Sequence, residues 1–476
     1  MEPVNNTPIY KMLKEYYEKG FLPFHMPGHI LGRGLCEELK LAGSLDITEV
    51  PGSDCLHEPR GVIKEAQERA ALCFGADYSL FLVNGSTSGI HAMIQAAVKP
   101  GGKLILGRDC HISALNALAQ INGKPVFVLP DVDEKHQIPL GVTADSLEIV
   151  LKENPDAQAV LITRPGYYGT ATQLRNISKL AKAYNMPLLV DEAHGAHFRF
   201  HEDLPEPAIT QGADLCVQSL HKTLPTLTQT AILHGNSKSL IDRRIIERTV
   251  SMVQTTSPSY LLMASIDIAR SIMENKGREL YEKLKHNISD FLIKLDKNTC
   301  IKRIKCDNEN FEIDFSRIVL SFKSLGISGF EVEEILRSRF GIVAEMADLN
   351  HIVLIATPFH NSMDFDKLLM ALKLISDEYR TVKAKAKLPR WPQQLPERIV
   401  PLREALFENV EEIPFINALD RVSGVFITPY PPGIPLVAPG EIINKEVIDY
   451  VDILLRENCP VHGIHDQKIK VLKARL

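Results

Sequence analysis

From about residue 60 to 235, short apolar runs alternate with segments of mixed polarity. The runs are YSLFLV (78–83), KLILG (103–107), PVFVL (125–129), AVLIT (159–163), MPLLV (186–190), DLCVQ (214–218) and TAILH (230–234). Most are continuous, and Gly, Pro, Asp or Asn bounds them. That pattern predicts strands buried on both faces of a largely parallel sheet. Between most of them lie helix-like segments such as HISALNALAQI (111–121). Alternating strands and helices predict an α/β domain with helices on both faces.

Further on, Leu280, Leu284, Ile288, Phe291, Leu292 and Leu295 recur at spacings of three and four, which predicts a long amphipathic helix. A strand at IVLSF (318–322), a helix after Ser328, a strand at HIVLIA (351–356) and a helix near 363–381 predict a smaller α+β domain. KAKAKLPRWPQQLPERIVP (383–401) mixes charge with four prolines and reads as a linker. The remaining residues hold a helix near 401–409 and the loop PYPPGIPLVAPGE (429–441). No internal repeat or low-complexity tract is present.

Composition narrows the function classes. Hydrophobic residues make up 45% and charged residues 24% of the 476, as in ordinary soluble proteins. Length alone suggests about three domains. The net charge is −5 with basic residues spread out, which speaks against nucleic acid. No apolar run is long enough to span a membrane, and MEPVNNTPIYKMLKEYYEKG has no apolar signal core. The eight cysteines form no CxxC pair and read as reduced cytoplasmic thiols. No zinc-ligand spacing appears, and Pro27 and Gly28 separate His25 from His29, so no metal site is expected.

Ligands of an open α/β sheet sit beyond the carboxyl ends of its strands. After YSLFLV, NGSTSG (84–89) opens a helix. Its hydroxyls, N–H groups and dipole suit a phosphate, although alone it reads equally as a capped helix start. After KLILG, His111 stands at the next helix start, as a cap or as a ring for a flat cofactor. After MPLLV, DEAHGAHF puts Asp191 at a strand end, where a buried carboxylate needs a partner, whether an arginine or a protonated ring nitrogen. After DLCVQ comes SLHKT, with Lys222. A lone lysine is ordinarily solvated. A shielded one facing a carboxylate and a phosphate cradle is placed to receive an aldehyde. Pyridoxal 5'-phosphate requires all three parts.

These residues resemble the ornithine/lysine/arginine decarboxylases, which depend on pyridoxal phosphate. The resemblance runs through FHMPGH (24–29), NGSTSG, GRDCHIS, DEAH, SLHKTLPTLTQTAILH, TTSPSY (255–260), PLREA (401–405) and PYPPGIPLVAPGE. It implies the aspartate aminotransferase fold (fold type I), with a mostly parallel seven-stranded sheet, a smaller α+β domain and a C-terminal decarboxylase domain. The implied plan is an N-terminal segment (1–50), a cofactor-binding large domain (51–290), the small domain (291–382), a linker (383–400) and the C-terminal domain (401–476).

The resemblance also implies roles. Ser86 and Thr87 match phosphate ligands, His111 the ring that stacks on the cofactor, and Asp191 the acid on its ring nitrogen. Ser219 and His221 match further groups at the phosphate end, and Lys222 matches the lysine that binds the aldehyde. His221 or Lys222 would return a proton to Cα. Thr255, Thr256 and Ser257 match a loop that reaches a neighbouring subunit, and Glu441 matches a carboxylate near the substrate entrance. Asp46 and Glu49 are further acidic residues to weigh for a cationic side chain. Two departures stand out. The N-terminal wing of larger members is missing, which points to a dimer or tetramer. His194 stands where larger relatives carry tryptophan, in contact with the cofactor ring.

The implied activity is decarboxylation of a basic L-amino acid, with arginine favoured over lysine and ornithine because short relatives resemble arginine decarboxylases. Rival readings are an aminotransferase, a lyase acting at Cβ, and a protein that binds the cofactor without turnover. PYPPGIPLVAPGE favours decarboxylation.

Overall fold

A computed structural model describes residues 6–380, 390–430, 433–457 and 459–473. Seven strands coincide with the seven apolar runs: β1 (Tyr78–Leu82), β2 (Lys103–Gly107), β3 (Lys124–Val128), β4 (Ala159–Thr163), β5 (Leu188–Asp191), β6 (Leu215–Ser219) and β7 (Ala231–Gly235). β1, β5, β6 and β7 are buried along their whole length, which explains why their sequences are continuous apolar runs and do not alternate.

The chain divides into two compact units, Met1–Ala97 with Ala181–Glu279 and Val98–Leu180 with Leu280–Leu476. In the first unit the strand order is β1-β7-β6-β5. β5 and β6 are parallel, and β7 runs antiparallel to both its neighbours. In the second unit the order is β4-β2-β3, all parallel. These are the seven strands of the mostly parallel α/β sheet expected from the sequence.

The second unit also carries a four-stranded antiparallel sheet, with Arg317–Ser321 and His351–Ile355 at its centre. Two helices follow its strands. Gly329–Phe340 begins with a reciprocal cap between Ser328 and Glu331, and Ser362–Tyr379 begins with one between Asn361 and Asp364. This is the predicted α+β element set. Of the predicted linker, residues 383–389 lie outside the described residues.

Two helices differ from expectation. The amphipathic stripe at 280–295 belongs to a helix of 39 residues, Tyr260–Asn298. Its first half buries Asp267 and Arg270, paired at 2.8 Å, and Asp267 also accepts the Ile9 N–H at 3.0 Å. Polar groups on the buried face interrupt the apolar stripe there and hide the helix from periodicity. The C-terminal helix Lys445–Arg456 was not predicted. Asn444 caps it, and Val447, Ile448, Val451 and Leu454 face a core that includes Trp391, Phe415, Ile427 and Val437. No helix among the described residues is long and apolar enough to cross a membrane.

Candidate active site

In the first unit, β1 runs into the turn NGSTSG and the helix α1 (Gly85–Ala97). Gly85 adopts φ +71°, a region open to glycine at no steric cost, and its N–H donates to the Gln229 carbonyl at 2.9 Å. Gly89 lets α1 approach the sheet closely. A Cβ there would lie 2.5 Å from Val217 Cγ2 and 2.7 Å from Leu82 Cδ1. Gly89→Ala is therefore expected to push the helix outward and cost about 1–3 kcal/mol, measured by chemical denaturation. An unchanged midpoint would mean that the packing has slack.

The same turn gathers hydroxyls. Ser219, at the end of β6, donates from Oγ to Ser86 Oγ at 2.8 Å. Thr87 is the next residue on the turn and is exposed. Hydroxyls at the N-terminus of a 13-residue helix, with its first N–H groups and dipole, form a receptor for an anion.

Lys222 closes the short 3-10 turn Leu220–Lys222 directly after β6. Its Nζ lies 3.1 Å from His194 Nε2. That hydrogen bond requires a lone pair on one of the two nitrogens, so the pair does not carry full protonation on both. Asp191 ends β5, is 4% exposed, and accepts the Ala193 N–H at 3.1 Å on Oδ1. The strand register sets it opposite Val217, two residues before Ser219. His221 holds its ring by Nδ1 against the Thr230 carbonyl at 2.9 Å. A carbonyl only accepts, so Nδ1 carries a proton and Nε2 is the atom left to take or give one.

An amine, a buried carboxylate and a hydroxyl-lined helix N-terminus are the contacts that pyridoxal phosphate requires, and the residues present fit it. Among the described residues no group of three or more His, Cys, Asp or Glu is arranged to hold a metal ion.

The loop at Thr255 is held from two sides. Its N–H donates to Asn84 Oδ1 at 3.1 Å, and its carbonyl accepts from His57 Nε2 at 2.8 Å. Thr256 and Ser257 are exposed. Asp46 is engaged by His29 Nε2 at 3.2 Å, and Glu49 is exposed.

Inside the sheet of the first unit lies a polar chain that the strand patterns concealed. Ser79 pairs with His234 Nδ1 at 2.7 Å, and His234 Nε2 with Gln218 Oε1 at 3.2 Å. Gln218 Nε2 donates to Glu192 Oε2 at 2.7 Å, and the Ala208 N–H reaches Glu192 Oε1 at 2.9 Å. The signal was available: Gln218 and His234 are polar residues at the ends of runs buried on both faces, and such groups must find partners. Gln218 precedes Ser219, and Glu192 follows Asp191, so the chain braces the backbone of both.

Burial pushes the His234 imidazole down to about 3. The unfolded chain takes up this proton below about 6.5, whereas the folded chain resists until about 3. The stability from neutral His234 is thus fully present above about 6.5 and is lost as pH falls toward 3, by about 1.4 kcal/mol per unit at most. Denaturation at pH 7 and pH 5 should show this loss, and His234→Asn should flatten it. An equal slope in the variant would assign the acid sensitivity to other groups.

In the second unit, His111 is the N-cap of the helix α2 (Ile112–Gln120). Its Nδ1 accepts the Ser113 N–H at 3.3 Å and meets Ser113 Oγ at 2.8 Å. The ring is therefore oriented by the helix it caps, and it is exposed. Glu441 differs from expectation. It is 1% exposed, and its carboxylate takes the Arg108 fork at 3.0 and 2.7 Å, Arg398 at 2.7 Å and the Ala438 N–H at 2.7 Å. Burial lowers the Arg398 pKa, with the carboxylate opposing that shift. With both oxygens engaged by arginines of its own chain, Glu441 presents no open acceptor for a substrate cation.

Comparison with known proteins adds an independent line. The family model for the major domain of the Orn/Lys/Arg decarboxylases matches residues 7–317, and the model for their C-terminal domain matches residues 393–466. The chain is 36% identical to the arginine decarboxylase of Bacillus subtilis over 98% of both chains. It is 34% identical to the arginine decarboxylase of Bacillus anthracis, over 98% of this chain and 97% of that one. The solved structure of the constitutive lysine decarboxylase of Escherichia coli matches with a TM-score of 0.83 at 21% identity, covering 98% of this chain and 82% of that one. At that identity the likeness is one of fold.

Proposed function

The chain belongs to the Orn/Lys/Arg decarboxylase family, and we propose that it removes the α-carboxylate of a basic L-amino acid, arginine first, with pyridoxal phosphate as cofactor. The observation that carries this reading is the grouping within one unit of the Lys222 amine, the buried Asp191 carboxylate and the Ser86–Ser219 hydroxyl pair at the head of α1. Arginine is favoured because both Bacillus relatives are arginine decarboxylases.

When bound, pyridoxal phosphate would supply an aldehyde for amines and a cationic ring that accepts the electron pair left on Cα as carbon dioxide departs. Ser86, Thr87, Ser219 and the first N–H groups of α1 hold the phosphate. Asp191 keeps a proton on the ring nitrogen, and His111 and His194 supply ring contacts. Lys222 offers its amine, with His194 Nε2 in position to exchange a proton with it. His221 Nε2 can carry the proton that replaces the carboxylate, since Nδ1 is committed to Thr230.

On the same reading the enzyme is a cytoplasmic homodimer or tetramer, with Thr255, Thr256 and Ser257 reaching a neighbouring subunit. The anchoring of Thr255 and the exposure of the next two residues support that use of the loop. The domain plan of 1–50, 51–290, 291–382, 383–400 and 401–476 belongs to this proposal.

The test is amine production by cofactor-loaded protein given arginine, lysine and ornithine separately, read by mass spectrometry. Agmatine is the expected product. Cadaverine or putrescine alone would move the assignment to lysine or ornithine, and no amine from visibly loaded protein would reject decarboxylation of basic amino acids.

A further inference from the structure

The stretches PLREA and PYPPGIPLVAPGE are far from the cofactor residues in sequence, and Glu441 offers no open oxygen to a substrate. Within the second unit both stretches touch the same element. Glu441 grips Arg108, three residues before His111, and Arg108 also donates to the Leu436 carbonyl at 2.8 Å. The Arg108 N–H is fixed to the Val128 carbonyl at 2.8 Å, and its guanidinium lies over the Phe127 ring at 4.3 Å. Cys110 closes a turn onto the Gly107 carbonyl at 3.1 Å, so little freedom remains between Arg108 and His111. At the other end of α2, Arg403 of PLREA donates to the Ala119 carbonyl at 3.0 Å. A cation at a helix C-terminus satisfies a terminal carbonyl and opposes the helix dipole.

Gly440 makes the first contact possible. Its φ is +86°, and a Cβ there would lie 2.1 Å from the Val400 carbonyl oxygen. Arg398 then closes the triad, reaching Glu441 at 2.7 Å and the Pro439 carbonyl at 2.6 Å. Two arginines on one buried carboxylate form a rigid junction, because each bond lost would leave a charge uncompensated.

We propose that the two C-terminal signature stretches clamp helix α2 at both ends and so set the orientation of His111, its N-cap, with Glu441 and Arg403 as positioning residues. This rests on the reading that His111 stacks on the cofactor. It gives the C-terminal domain a task in cofactor binding, where the motif had suggested contact with substrate.

The test compares Glu441→Gln, Arg403→Gln, His111→Ala and the double variant Glu441→Gln/His111→Ala in the full chain, loaded with pyridoxal phosphate. The readouts are cofactor affinity, the visible absorption of the bound cofactor, kcat and KM. Loss of a ring contact corresponds to about three- to tenfold weaker cofactor binding. Glu441→Gln is expected to show that loss and a shifted absorption band, with KM little changed. In the His111→Ala background it should add nothing, since residues acting through one another are not additive. Multiplying losses, a raised KM at normal cofactor affinity, or an unchanged affinity and spectrum would each overturn the proposal. Arg403 is exposed, so Arg403→Gln should fold even if Glu441→Gln does not. It should shift the spectrum in the same direction by less, and an unmoved spectrum would count against the clamp. His111→Ala alone tests the stacking reading: if it leaves affinity and spectrum intact, that reading falls and the clamp loses its purpose.

Discussion

Lys222→Ala is expected to slow amine formation by at least about 10⁴-fold while leaving the protein folded. Lys222 lies half-buried on a 3-10 turn whose packing comes from Leu220, which is 1% exposed. Truncating the lysine removes a polar arm and with it the hydrogen bond to His194, while the apolar anchor of the turn stays in place. The chemistry loses more, because the turn after β6 carries no second amine to take its place. Borohydride reduction followed by peptide mass spectrometry should find the cofactor attached at Lys222 in the parent protein and at no site in the variant. Lys222→Arg separates charge from nucleophilicity. It keeps a cation near His194 but supplies no free amine, so it should be as inactive as the alanine variant. Substantial activity in Lys222→Arg would mean that the position acts by charge alone, and the assignment of the lysine would be wrong.

Much of this site was legible because the sheet obeys a simple rule. A strand buried on both faces is written as an unbroken apolar run, and the residues just past its end fall at the sheet edge where ligands bind. Ser86, Asp191 and Lys222, grouped in the first unit, all stand within a few residues of the end of such a run. Residues that work from inside the fold were harder. Gln218 and His234 sit at the last positions of runs and look like strand ends, yet they carry a buried chain to Glu192. Asp267 and Arg270 broke the stripe that would have revealed the first half of the long helix. Glu441 was recognised through its motif, but a motif does not say which way a side chain is committed. Its partners, Arg108 and Arg398, are separated by 290 residues, and local pattern carries no trace of that pairing. Periodicity reports burial. It does not report which buried polar groups have found each other.

Asp191→Asn is the second large effect, an expected loss of about 10²–10³-fold in kcat at saturating cofactor. Asparagine has the size of aspartate and retains an oxygen to accept the Ala193 N–H, which Asp191 holds at 3.1 Å. The backbone beside it is paired across to β6 through Val190 and Asp191, so the strand end has independent support. Thermal stability should therefore change little. Asparagine removes the negative charge and turns one acceptor oxygen into an NH2 donor, and at 4% exposure water does not replace the charge. A carboxylate in such a place favours a protonated partner strongly, whereas an amide leaves that partner's proton affinity near its ordinary value. The loss should appear in kcat more than in KM, because the charge is needed as electrons move toward the ring and hardly at all when substrate binds. Near-normal kcat in a folded Asp191→Asn would show that the carboxylate's charge is not used in catalysis, and the partner for a ring nitrogen would have to be sought elsewhere. A fall in kcat with matching thermal stability would assign the charge itself to catalysis, and would explain why the chain pays to bury a carboxylate at the end of β5.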